Sequence, residues 1–84
     1  MLLHIGNGHM IATKDVVLIA DYESSMSSDD TDDFLKIANE EGFVKDYSGG
    51  SPKSFVVTNE TVYLSLISSS TLAKRVNFVR ELDL

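Results

Sequence analysis

The chain has no cysteine, no tryptophan and one proline, and only 7 of its 84 residues are Lys or Arg. Without cysteine, no disulfide can staple the fold and no thiolate can hold a metal. The longest apolar run, Val16 to Ala20, is far below the ~20 residues of a membrane span. Cations are scarce against 13 acids, which leaves a net charge of −6. A domain whose whole surface binds nucleic acid has a pI above about 9, so the total charge argues against that class. Met1-Leu2-Leu3-His4-Ile5 has no basic stretch and too short an apolar one for a secretory leader, so a cytoplasmic protein is expected. The length predicts one domain over residues 1–84. A chain this short buries only ~60–65% of the surface its unfolded form exposes. Unstapled chains of this size often gain stability by oligomerising, so a partner is expected, most simply a second copy.

What is present reads as strands, a helix, more strands and a last helix. Leu2 to Ile5 and His9 to Thr13 flank Gly6-Asn7-Gly8. Asn-Gly is the strongest short hairpin signal, because a type I′ turn needs φ > 0 at both central residues. Val16 to Ala20 is a continuous β-branched run, which predicts a strand buried on both faces and a meander with the first two. Tyr22 to Ser28 reads as a Ser-rich loop. A helix is predicted from about Asp30 to Glu41, with acids at its positive end. In it Phe34, Ile37 and Ala38 fall at helical spacing, with Leu35 beside them. Gly42 is placed to cap it in the left-handed conformation, with Phe43 folding back on Ile37 or Ala38.

Val44 to Tyr47 reads as a short strand, and Ser48-Gly49-Gly50-Ser51-Pro52 as a loop. Ser54 to Thr58 and Thr61 to Ile67 form a second hairpin around Asn59-Glu60. Ser68-Ser69-Ser70 caps a last helix, with Leu72, Val76 and Val79 on one face and Leu82 at its edge. The predicted fold class is α+β: a small antiparallel sheet of about five strands in two hairpin or meander units, with two short helices.

Motifs that could carry chemistry are weak. Asp29, Thr31, Asp33 and Glu40 match some positions of a calcium loop, but its sixth position needs Gly and is Phe34. His4 and His9 flank the first turn without a third ligand in reach of the motif, and read as surface histidines. Serines are abundant, but none stands in a G-x-S-x-G elbow, and turn-forming or capping roles account for them. Gly49-Gly50-Ser51-Pro52-Lys53-Ser54 lacks phosphate-loop spacing and leads into a strand instead of a helix. No enzyme, metal site or cofactor is expected. Charge, in contrast, is segregated. Residues 21–41 carry eight acids and Lys36, whereas residues 42–84 carry five cations against four acids. From the residues alone, Lys74 and Arg75 read as the solvated face of the last helix.

Several short motifs in order resemble one family. Ile5-Gly6-x-Gly8 before a β-run, Pro52-Lys53-Ser54-Phe55-Val56-Val57-Thr58, Tyr63-Leu64-Ser65 and Ser69-Ser70-Thr71-Leu72-x-Lys74-Arg75 resemble the bacterial extracellular matrix regulatory proteins, RemA and RemB. The likeness covers nearly the whole chain and is closer to the RemB branch. It implies a non-enzymatic regulator of matrix (biofilm) genes that assembles into a ring-type homo-oligomer. It also implies repeated contact with the backbone of double-stranded DNA, carried here by Lys14, Lys53, Lys74 and Arg75; the net charge of −6 and the arginines replaced here point instead to an oligomeric module that works through other regulatory proteins. The RemA branch carries an arginine before its third strand, where Asp15 stands here beside Lys14. It carries adjacent arginines before the strand that begins here at Ser54, where this chain has Gly50-Ser51-Pro52 and the single cation Lys53. Phosphate contacts supply most of the affinity of a backbone reader, so these replacements bear directly on DNA binding.

Overall fold

A computed structural model describes residues 1–82, with side chains described as far as Val76. Strands β1 (Leu2–Gly6) and β2 (His9–Ala12) form an antiparallel hairpin. Asn7 and Gly8 both have positive φ, 52° and 75°, as a type I′ turn requires. The register passes from His4↔Met10 to Gly6↔His9, so Ile5 is the extra residue of a bulge. A 3₁₀ turn, Thr13–Asp15, leads into β3 (Val16–Asp21). Two helices follow, α1 (Tyr22–Met26) and α2 (Asp29–Glu40), then β4 (Val44–Asp46), β5 (Ser54–Thr58), β6 (Val62–Ser65) and α3 (Ser69–Leu82).

The main sheet has the order β3-β5-β6-β4. The three predicted hairpin strands are therefore not one meander: β1 and β2 stand apart, and β3 pairs with β5. Nor is the sheet wholly antiparallel, because β4 runs parallel to β6. The cause is the pair of helices between β3 and β4. They carry the chain across one face, so β4 enters the far edge in the direction of β3.

The strand buried on both faces is β5, and β3 is an edge. Phe55 is 2% exposed and Val56 fully buried, whereas Val17 and Leu18 on β3 are 66% and 51% exposed. Val17 is the extra residue of a second bulge, between the pairs Val16↔Thr58 and Leu18↔Val57. A continuous apolar run signals a strand but not its place in the sheet order; β5 is central because it has a partner on each side.

Two cores lie back to back across β5. Val56 meets Leu3, Ile5 and Ile11 of the hairpin and Leu72 of α3. Phe55 meets Leu35 and Ala38 of α2 and Val62 of β6. The buried stripe of α2 is thus Leu35 and Ala38, while Phe34 and Ile37 face outward. The apolar arc of this helix is wide enough for either rotation, and only the sheet selects one. The predicted C-cap is formed as a Schellman motif. Gly42 has φ 79°, its N–H donates to the Asn39 carbonyl, and the Phe43 N–H donates to the Ala38 carbonyl. The Phe43 ring is left exposed.

The segment read as a Ser-rich loop contains α1, a short helix started by Asp21, whose carboxylate accepts from the Ser24 N–H at 2.8 Å. For α3, Ser68 is the cap: its hydroxyl accepts from the Thr71 N–H at 3.3 Å. Leu72 and Val76 face inward as expected; the side chains of Val79 and Leu82 lie outside the described residues.

Three serines are buried, and each is satisfied. The Ser54 hydroxyl donates to the Ile67 carbonyl at 2.7 Å. The Ser65 hydroxyl donates to the Ile5 carbonyl at 2.6 Å and accepts from the Ile67 N–H at 3.0 Å. The Ser48 hydroxyl and N–H both donate to the Asp46 carboxylate. These donors hold the Asp46 carboxyl below its ordinary pKa, and the Ser24 N–H does the same for Asp21.

Leu72→Ala should destabilise the fold by about 2–5 kcal/mol, through lost burial and the cavity left behind. Ser65→Ala should cost about 1–3 kcal/mol, because the Ile5 carbonyl and Ile67 N–H would be left unpartnered. Both are read by urea unfolding at one fixed protein concentration. For Asp46 and Asp21 the folded pKa lies below the unfolded one. Their contribution to stability is present above about pH 4 and is lost as pH falls through the lowered values. Unfolding midpoints should drop over that acid range, and Ser48→Ala should make the drop shallower.

Candidate nucleic-acid interface

The four cations expected to meet DNA are displayed by three parts of the frame. Lys14 is exposed in the 3₁₀ turn, which Thr13 pins by donating its N–H (3.0 Å) and hydroxyl (3.2 Å) to the Met1 carbonyl. Lys53 is exposed immediately before β5. Its backbone is clamped on both sides: its N–H donates to the Ser65 carbonyl at 2.8 Å, and its carbonyl accepts from the Tyr22 N–H at 3.0 Å. Lys74 and Arg75 are exposed on α3. Arg75 is also fastened to the hairpin, because its Nη1 donates to the His4 carbonyl at 3.1 Å.

The register separates these groups. Val16 lies across from Thr58 and Asp21 across from Ser54, so Lys14 and Lys53 sit at opposite ends of the β3–β5 ladder. At ~3.3 Å per residue, that ladder is on the order of 17 Å long. α3 begins at the Lys53 end, where Ser54 is bonded to Ile67. Arg75 comes about two turns later, at β1. Among the described residues, one protomer therefore offers dispersed cations and no single basic patch.

Electrostatics leave those cations available. Among the described residues the only ion pair joins Lys36 to Asp32 at 3.1 Å, and the Asp32 carboxylate raises the Lys36 pKa. Lys14, Lys53, Lys74 and Arg75 have no carboxylate within ion-pair distance among the described residues.

The two histidines are engaged separately. His4 pairs with Met10 across the hairpin, and its Nδ1 accepts from the Gly6 N–H at 3.3 Å. His9 stacks on Tyr47, with ring centroids 3.5 Å apart, and Tyr47 stacks in turn on Tyr63 at 5.9 Å. Asn7 closes the same corner by donating to the Tyr47 carbonyl at 2.7 Å. No sequence signal marked this stack, because its members are far apart in the chain. Among the described residues no group of three His, Cys, Asp or Glu side chains is placed to hold a metal. Nor is any helix there long and apolar enough to cross a membrane.

Comparison with known proteins gives the context. The model of the RemA-like family, described as extracellular matrix regulatory protein A-like, matches residues 2–76, from β1 well into α3. Extracellular matrix regulatory protein B of Bacillus subtilis (strain 168) is 40% identical over 83 residues, covering 99% of each chain. The match thus includes the hairpin, both cores, the clamped Lys53 and the Lys74-Arg75 pair. By that length of match and that identity, the chain belongs to the RemA-like family of extracellular matrix regulatory proteins, on the RemB branch.

Proposed function

We propose that this chain is a non-enzymatic regulator of extracellular-matrix (biofilm) genes that assembles into a ring-type homo-oligomer and contacts DNA through Lys14, Lys53, Lys74 and Arg75. The observation that carries the regulatory reading is the 40% identity with extracellular matrix regulatory protein B along the whole chain. The DNA reading is supported by the four exposed cations without ion-pair partners among the described residues. Dispersed over one protomer, they make a weak set of phosphate contacts. Repeated around an assembly, weak contacts add by avidity.

Assembly is supported by the sheet edge. β3 is an edge strand, paired on one side only, with β5, and it exposes Val17 and Leu18. Apolar edges of this kind invite pairing with another chain unless they are covered. A ring of copies covers every such edge and needs no other protein.

A second reading is an oligomeric protein-interaction module without DNA binding. It is favoured by the net charge of −6 and by Gly50-Ser51-Pro52 in the stretch where the RemA branch carries arginines.

Fluorescence anisotropy on duplex DNA at low salt separates the two. The DNA reading expects micromolar or tighter binding that weakens steeply with salt. Lys53→Ala should lower affinity for all sequences alike and reduce the salt slope by about one. An intact oligomer that leaves micromolar DNA unbound assigns the chain to the second reading. Light scattering tests assembly: a discrete multiple of the 9.2 kDa chain mass is expected, reduced by Val17→Asp. A strict monomer at high concentration removes the ring.

A further inference from the structure

α2 keeps an apolar stripe that its own protomer does not use. Phe34 is 47% exposed, Ile37 60% and Phe43, just past the C-cap, 54%. Three large apolar side chains this open, two on α2 and one just past its C-cap, mark an interaction surface more often than a plain solvated face. Beside them runs an open groove of about 660 Å³ between α2 and the β5–β6 hairpin, with Phe34, Ala38, Phe43, Val57 and Val62 in its lining.

Among the described residues, acids flank the stripe along its own helix and one lines the groove. Asp30 lies one turn before Phe34, and Asp33 one turn before Ile37, while Glu40 and Glu41 lie one turn after Ile37. Glu60 lines the groove from the hairpin side. All five are exposed, and none is in an ion pair among the described residues. The one cation of α2, Lys36, is paired with Asp32 and is also attracted by Asp33 and Glu40. The next in sequence, Lys45, alternates with Val44, whose side chain packs toward α2; Lys45 therefore belongs to the opposite face of the sheet.

We infer that this acid-rimmed groove docks a cationic amphipathic helix from another protein, its apolar side laid between Phe34, Ile37 and Phe43 and its Lys or Arg side chains against Asp30, Asp33, Glu40, Glu41 and Glu60. This is helix-in-groove recognition, and it stands whether or not DNA is bound. Among the described residues, a second copy of the chain is a poor match. Its described α3 cations, Lys74 and Arg75, accompany Leu72 and Val76, which are spent in the copy's own core. Its exposed Val17 and Leu18 bring only Lys14, cancelled by Asp15, and its exposed Met1, Leu2, Met10 and Leu66 lie on no helix.

The test uses the full chain and two labelled helical peptides of about 14 residues, with Leu at core spacing and either Lys or Glu at all other positions. Anisotropy should show the Leu/Lys peptide binding at least about tenfold more tightly than the Leu/Glu peptide. Phe34→Ser with Ile37→Ser should weaken Leu/Lys binding about tenfold or more. Met10→Ser, an equally exposed site on the hairpin, should leave it unchanged. Asp30→Asn, Asp33→Asn, Glu40→Gln and Glu41→Gln together touch only the surface; they should weaken binding severalfold even if the apolar variant folds poorly. Equal binding of the two peptides, or no loss in the charge-neutral variant, overturns the proposal. So does a fall in solution mass for the Phe34→Ser, Ile37→Ser variant, because that outcome makes the groove an interface between copies.

Discussion

The structure depends on one strand being covered on both faces. β5 places Phe55 against α2 and Val56 against the hairpin and α3, and both residues are almost wholly out of water. Successive side chains of a strand point to opposite faces, so two adjacent residues nucleate two cores. A chain of this size can enclose little apolar surface in one layer pair. Using the sheet twice lets the hairpin, α1, α2 and α3 all bury something against a sheet of four short strands.

Buried hydroxyls join the parts that apolar packing merely brings close. Ser65 binds the carbonyl of Ile5, at the bulge of β1, and the N–H of Ile67, just ahead of α3. Ser54 holds the other side of the same connection through the Ile67 carbonyl. Arg75 then reaches the next backbone group along β1, the carbonyl of His4. Strand, hairpin and helix thus share one hydrogen-bonded seam. A buried hydroxyl with its partner removed leaves costly orphan groups, so these serines hold the fold together.

The division of charge along the chain becomes a division in space. The acids of residues 21–41 are gathered on and around α2, over one face of the sheet. The cations expected to meet DNA are carried by the 3₁₀ turn, the start of β5 and α3. A protein with this arrangement can present unlike surfaces to a polyanion and to a cationic partner. Its net charge of −6 describes neither surface by itself.

Local signals were legible wherever the physics is local. The Asn7-Gly8 turn, the Gly42 cap, the Ser68 cap, the Asn59-Glu60 hairpin and the existence of α2 and α3 all follow from short-range conformational preference, and the family resemblance held along the whole chain. Short α1 escaped notice because its serines favour loops, and a single Asp21 cap tips the balance. Sheet order, the parallel β4–β6 pair, the edge position of β3 and the rotation of α2 were not legible. Each depends on which distant segment lies alongside, and the same apolar run satisfies several neighbours. Sequence by itself therefore determined the elements, their caps and the charge each carries. Tertiary structure alone decided that Val17, Leu18, Phe34, Ile37 and Phe43 stay in water and that Lys14 and Lys53 stand apart, because exposure and separation are properties of the pairing of strands far apart in the chain.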